Sequence, residues 1–79
     1  MNDKINISVI IPVYNEETTC YEIINKVKRI KLVKEIIVVD DASNDTTFEI
    51  LNTIDDINVF KHDKNMGKGA AVRTGLNQV

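Results

Sequence analysis

Cysteine is nearly absent from this 79-residue chain: Cys20 stands alone. No internal disulfide can brace the fold, and a single thiol fits a reducing compartment. Three glycines and one proline are far too few for a collagen-like or low-complexity chain. Neither sign of charge dominates. Ten Lys and Arg face twelve Asp and Glu, a net charge of -2, which excludes general nucleic-acid binding and makes any phosphate site a local one. No apolar run reaches the ~20 residues that span a bilayer, and Met1 to Lys4 opens with Asn and Asp rather than a signal peptide. Length is also short. A chain of this size makes up about half a typical domain and buries roughly 60% of its unfolded surface. It is expected to be a single unit over residues 1–79, the truncated front piece of something longer.

What the chain does contain is a globular share of apolar residues, 43%, arranged in alternating patterns. Ile5 to Val13 is nearly continuous and β-branched, predicting a strand covered on both faces, with Pro12 at its end. Asn15 is the expected N-cap of a helix running to about Ile30, whose apolar stripe is Cys20, Ile23, Ile24, Val27 and Ile30. Glu35 to Asp40 repeats the buried-strand pattern, followed by the turn and cap formers Asp41 to Asp45. A second helix is expected over Thr46 to Ile54 with Phe48, Leu51 and Ile54 inward, then a short strand over Ile57 to Lys61. A third helix, Ala70 to Val79, carries Val72, Leu76 and Val79 on one face. The order β-α-β-α-β-α predicts an α/β, Rossmann-like fold with parallel strands. All three strand-to-helix loops then share the carboxyl edge, where open parallel sheets bind ligands.

Every unusual polar cluster falls on that edge: Tyr14 to Glu17, Asp40 to Asp45, and His62 to Lys68. In the pair Asp40-Asp41, alternation sends one carboxylate towards the crevice and the other sideways. Such a group accepts from a base imide or ribose hydroxyl, helps hold a divalent cation, or caps the next helix. Ser43, Asn44 and Asp45 read as caps. Asn65-Met66-Gly67-Lys68-Gly69 suits either an anion or a plain turn, with Lys68 and Arg73 supplying charge. It lacks the GxxxxGK[ST] spacing of ATP-hydrolysing loops, and no GxGxxG follows the first strand, which disfavours NAD or FAD. Tyr14 either stacks on a base or roofs the core; Glu16 either meets a ribose or favours the helix dipole. His62 has no second histidine or cysteine at metal spacing, and Cys20 reads as core.

Together, Ile11 to Glu17, Val38 to Thr47 and Asn65 to Gly75 resemble the family 2 glycosyltransferases, nearest in look to the polyprenyl-phosphate or dolichol-phosphate sugar transferases. The resemblance covers the chain from about Ile7. It implies the N-terminal part of a GT-A fold that binds a UDP- or GDP-sugar with Mg2+ or Mn2+ and transfers the sugar with inversion, a polyprenyl phosphate being one acceptor. The setting it implies is cytoplasmic, at the cytoplasmic face of a membrane. Carried over by position, Pro12, Tyr14 and Glu16 match the first nucleotide-contacting segment, Asp40 and Asp41 the segment that reads base and ribose, and Lys68 the third. No Asp-x-Asp occurs after Lys64, so the metal ligands and the catalytic base are expected beyond residue 79, and the chain alone is expected to be inactive. Two other classes share single features with the sequence. A receiver-type signalling module shares the acidic pair but places it after its first strand, whereas here a strand and helix precede it. A non-catalytic fragment would associate through its open sheet edge.

Overall fold

The computed structural model describes residues 6–79. Three strands, β1 (Ile7–Val13), β2 (Val33–Asp40) and β3 (Asn58–Lys61), alternate with three helices, α1 (Cys20–Lys28), α2 (Thr47–Leu51) and α3 (Lys68–Leu76). The strands form one parallel sheet in the order β1-β2-β3. The expected architecture is therefore present, although Ile5, assigned to the first strand, lies outside the described residues.

Side-chain alternation along β2 splits the core in two. Ile36 and Val38 face α1 and α2, packing with Val13, Cys20, Ile24 and Leu51. Ile37 and Val39 face α3, packing with Ala71, Ile10 and Phe60. Having a neighbour on either side and a helix layer on either face, β2 is buried from Ile36 through Asp40. Strand β1 is different. Only Val13 is buried and Ile7 is 39% exposed, so the expected covering of both faces is not seen along most of its length. Among the described residues it pairs with β2 alone, which leaves one side of it open.

Expectations for all three helices need correction. Asn15 does not cap α1: its backbone is left-handed (φ 52°) and the helix begins only at Cys20, behind Thr19. Its stripe is also narrower, because Ile23 and Ile30 are 40% and 52% exposed. Helix α2 is five residues long, with Leu51 inward but Phe48 only half-buried beneath Lys61, whose Nζ lies 4.7 Å from the ring centre. Helix α3 buries Ala70, Ala71 and Gly75, while Leu76 and Val79 are 58% and 65% exposed. Periodicity picked the larger apolar side chains, but the close packing of α3 on β1 and β2 selects the small ones. A larger group could not sit where Gly75 meets Ile10.

Candidate functional site at the carboxyl edge of the sheet

The parallel ladder continues one residue past two strand ends, and this is what builds the site. Asp41 N–H donates to the Val13 carbonyl and His62 N–H to the Asp40 carbonyl, both at 2.9 Å. Because Asp40 pairs with Lys61, Asp41 and His62 become side-by-side neighbours at the rim. Alternation then turns Asp40 towards the α1 and α2 layer and Asp41 towards α3.

Asp40 is fully buried. Its Oδ1 accepts from the Ser43 amide at 3.2 Å and from the Ser43 hydroxyl, while its Oδ2 has no hydrogen-bond partner. Ala42, left-handed at φ 64°, bends the chain sharply enough to bring Ser43 back over Asp40. Ser43 Oγ in turn accepts from Asn15 N–H at 2.8 Å, and Asn15 Oδ1 accepts from Asn44 N–H at 2.8 Å. Ser43 and Asn44 thus staple the loops after β1 and β2 together rather than cap a helix. Asp45 does not cap either, since Thr46 holds the N-cap position of α2; it closes a turn just before it, its Oδ1 accepting from the Thr47 amide at 2.9 Å and from the Thr47 hydroxyl. Burial alone would raise the Asp45 carboxyl, but the Thr47 hydroxyl and amide, with the Glu17 amide, outweigh it and hold it below the ordinary carboxylate range. Thr47 Oγ1 also accepts from Glu16 N–H at 2.9 Å, and Glu17 Oε1 accepts from the Thr46 amide and hydroxyl at 3.0 and 2.7 Å. Two loops far apart in sequence form one rigid wall.

Asp41 builds the opposite wall. Its Oδ1 accepts from His62 Nδ1 at 2.7 Å and Met66 N–H at 2.8 Å; its Oδ2 accepts from Gly67 N–H at 2.8 Å. Burial pushes this carboxyl up, but the bonds from His62, Met66 and Gly67 more than offset that and hold it below its usual range. Gly67 has φ 94° and ψ 160°, a conformation essentially confined to glycine. It has to be glycine for its backbone, since a β-carbon there would meet nothing within 4 Å. From Gly67 the chain enters α3, whose first N–H groups have no intrahelical acceptor and whose first residue is Lys68.

Between the walls lies a cleft of about 180 Å³ lined by Pro12, Val13, Tyr14, Glu16, Asp41, Lys68 and Ala71. Five of the six residues singled out by sequence, Pro12, Tyr14, Glu16, Asp41 and Lys68, meet there. Asp40 does not line it. Tyr14 stands 42% exposed at the rim rather than roofing the core, and Glu16 Oε1 accepts from Thr19 Oγ1 at 2.6 Å. Arg73 is exposed and is not among the lining residues. Cys20 is in the core, where burial raises its thiol and keeps it unreactive. Sequence reasoning undervalued His62. The signal available was that Asp41 and His62 each stand one residue beyond the ends of adjacent parallel strands.

The sequence pattern of the family described as "Glycosyl transferase family 2" matches residues 8–79. The chain belongs to this family. Its sheet, helices and order of elements are those of the family's GT-A fold. Among solved structures, S. aureus TarS 1-349 superposes on this family 2 chain with a TM-score of 0.82 and 31% identity, over 94% of this chain and 24% of that one. The dolichyl-phosphate β-glucosyltransferase of Dictyostelium discoideum is 32% identical over 94% of the chain and 27% of its own length. The UDP-N-acetylglucosamine–dolichyl-phosphate N-acetylglucosaminyltransferase of Methanococcus voltae is 32% identical over 99% and 37%. The undecaprenyl-phosphate 4-deoxy-4-formamido-L-arabinose transferase of Proteus mirabilis (strain HI4320) is 35% identical over 96% and 26%. The chain therefore spans between 26% and 37% of the length of these curated relatives. Among the described residues, no helix is long and apolar enough to cross a membrane, and no group of three or more His, Cys, Asp or Glu is arranged to hold a metal ion.

Proposed function

We propose that residues 1–79 are the donor-binding portion of a family 2 glycosyltransferase, and that the cleft receives the nucleoside of a UDP- or GDP-hexose. One observation carries this reading: the end of β1, the loops after β1 and β2, and the start of α3 deliver Pro12, Tyr14, Glu16, Asp41 and Lys68 to a single cleft. In this reading Tyr14 offers its ring to the base from the rim. Asp41, an ionised acceptor, takes a hydrogen bond from a base imide or ribose hydroxyl. Glu16 faces the ribose. Lys68, with the unpaired N–H groups at the start of α3, meets the diphosphate. Asp40 supports from beneath by holding Ser43.

In the parent enzyme, an acceptor oxygen bonds to the anomeric carbon from the face opposite the diphosphate, any proton it carries passing to the general base. The bond to the diphosphate breaks, the nucleoside diphosphate leaves with its electron pair, and the anomeric configuration inverts. The names of the relatives support a polyprenyl phosphate as acceptor, and hence work at a membrane surface. A bound Mg2+ or Mn2+ would neutralise charge on the leaving diphosphate. The described residues do not by themselves fit such an ion. We assign its ligands, and the general base, to carboxylates outside this segment.

The 79-residue chain should therefore bind UDP or GDP weakly and transfer nothing. Incubation with radiolabelled UDP- or GDP-hexose, Mg2+ and dolichyl or undecaprenyl phosphate checks this. Labelled lipid formed by the chain alone would refute the division of labour.

A further inference from the structure

We propose that His62 is a positioning residue for Asp41, fixing its carboxylate so that a single acceptor site is left to face the cleft. This rests on the reading of the cleft as a nucleotide site. The chemistry begins with Asp41: ionised and already accepting from two backbone N–H groups, it can only accept, so His62 Nδ1, 2.7 Å away, carries the proton between them. In the neutral ring Nε2 is then an acceptor, and the Thr74 hydroxyl, 2.7 Å from it, donates. The imidazole is thus held from both sides, by the end of β2 and by α3. Its side chain is only 9% exposed, and the Asp41 side chain 6%.

A carboxylate has about four lone-pair sites in its plane. On Asp41, His62 and Met66 occupy both sites of Oδ1, and Gly67 occupies one site of Oδ2. The fourth, on Oδ2, is left for an N–H or O–H group arriving through the cleft that Asp41 lines. Of the three donors, two are backbone amides of one loop, so only His62 ties the carboxylate to a side chain anchored elsewhere. Without it, Oδ1 gains an open site, the carboxylate can rotate, and the direction of its remaining acceptor is lost. His62 touches no cleft space itself. Its contribution passes through Asp41.

The test separates this role from simple bracing of β3 against α3. His62→Leu keeps bulk without a donor, whereas His62→Asn keeps an N–H near the place of Nδ1 but cannot reach Thr74. In the full 79-residue chain at one pH, UDP and GDP affinities are read by NMR titration, along with the Asp41 carboxyl carbon shift and the Met66 and Gly67 amide shifts. The expected result is that His62→Leu weakens nucleotide binding about tenfold and moves all three signals, while His62→Asn restores binding to within about threefold. Equal losses in both variants, or unchanged binding in His62→Leu, would overturn the proposal. If neither variant folds, the nitrogen spectrum of the wild-type ring decides: a neutral ring protonated on Nε2 contradicts it, and one protonated on Nδ1 supports it. If wild type binds neither nucleotide, the nucleotide reading fails. Positioning is then judged on the Asp41 signal alone, which must shift in His62→Leu and recover in His62→Asn.

Discussion

Asp41→Ala is expected to cost the chain about 3 kcal/mol of stability and to weaken UDP or GDP binding by about 10- to 100-fold. The size follows from what is stranded. Removing the carboxylate leaves His62 Nδ1, Met66 N–H and Gly67 N–H without their shared acceptor, and each unpaired buried donor costs about 1–3 kcal/mol, less whatever the adjacent cleft water recovers. Asp40→Ala should behave differently. It releases Ser43 and so loosens the staple to Asn15, lowering stability, but it removes no group lining the cleft and should reduce affinity less. Asp55→Ala is the control, because Asp55 is exposed and the Lys28 ammonium bonds its backbone carbonyl rather than its carboxylate; its effect should stay within about 0.5 kcal/mol. Urea denaturation gives the stabilities, and NMR titration the affinities. The acid limb adds a check of sign. Asp41 is held below its ordinary value when folded, so its contribution is complete above the unfolded carboxylate range near pH ~4 and is lost as pH falls through the lower folded value. Asp41→Ala should therefore lose less stability than wild type between roughly pH 5 and pH 2, the remaining loss including that from Asp45. An unchanged acid profile would count against the hydrogen-bond assignment.

Gly75→Leu should unfold the chain or nearly so, and even Gly75→Ala should destabilise it, by up to about 2 kcal/mol. A β-carbon at position 75 would overlap Ile10 Cγ2 and lie 3.2 Å from Cγ1 and 3.4 Å from Cβ. Ile10 is β-branched and stiff at χ1, so it cannot simply swing away. Alanine gains about 1 kcal/mol of helix propensity over glycine, and overpacking costs about 1–3 kcal/mol, so the clash wins by a modest margin. The contact can be isolated by a double-mutant cycle. Gly75→Ala placed in an Ile10→Ala background should be neutral or stabilising, a coupling of at least about 1 kcal/mol. If Gly75→Ala stabilises the wild-type chain, α3 does not rest on β1 as described.

Much of this architecture was legible in the sequence, for reasons visible in particular residues. Ile36 to Val39 form a β-branched run that only a central strand can bury, and Asp40-Asp41 at its end marks the carboxyl rim. The three polar clusters could be assigned to one edge because parallel strands permit little else. What could not be read was set by contacts between distant segments. Asn15 looks like a cap locally, yet it is held left-handed by Asn44 and Ser43, nearly thirty residues on. On α3, the spacing of Val72, Leu76 and Val79 marks an apolar face, but the side that meets the sheet is decided by how closely two backbones approach, and that favours Ala70, Ala71 and Gly75. The separate fates of Asp40 and Asp41 follow from alternation, while the direction of each required knowing that α3 covers one face of the sheet and α1 and α2 the other. Likewise His62 lacked a partner in sequence and gained one only when Asp40 and Lys61 came into register.

In the proposed function a single cleft at the carboxyl rim takes the nucleoside diphosphate. The most direct measurement is a two-dimensional amide NMR titration of the isotope-labelled chain with UDP and with GDP. With one or other nucleotide, the cleft account predicts saturable shifts concentrated at Tyr14 to Glu16, Asp41 to Ser43, and Met66 to Gly69, with Lys28, Lys34 and Asp56 at the opposite edge unmoved. Shifts confined to one loop, spread over both edges, or absent with both nucleotides would contradict it.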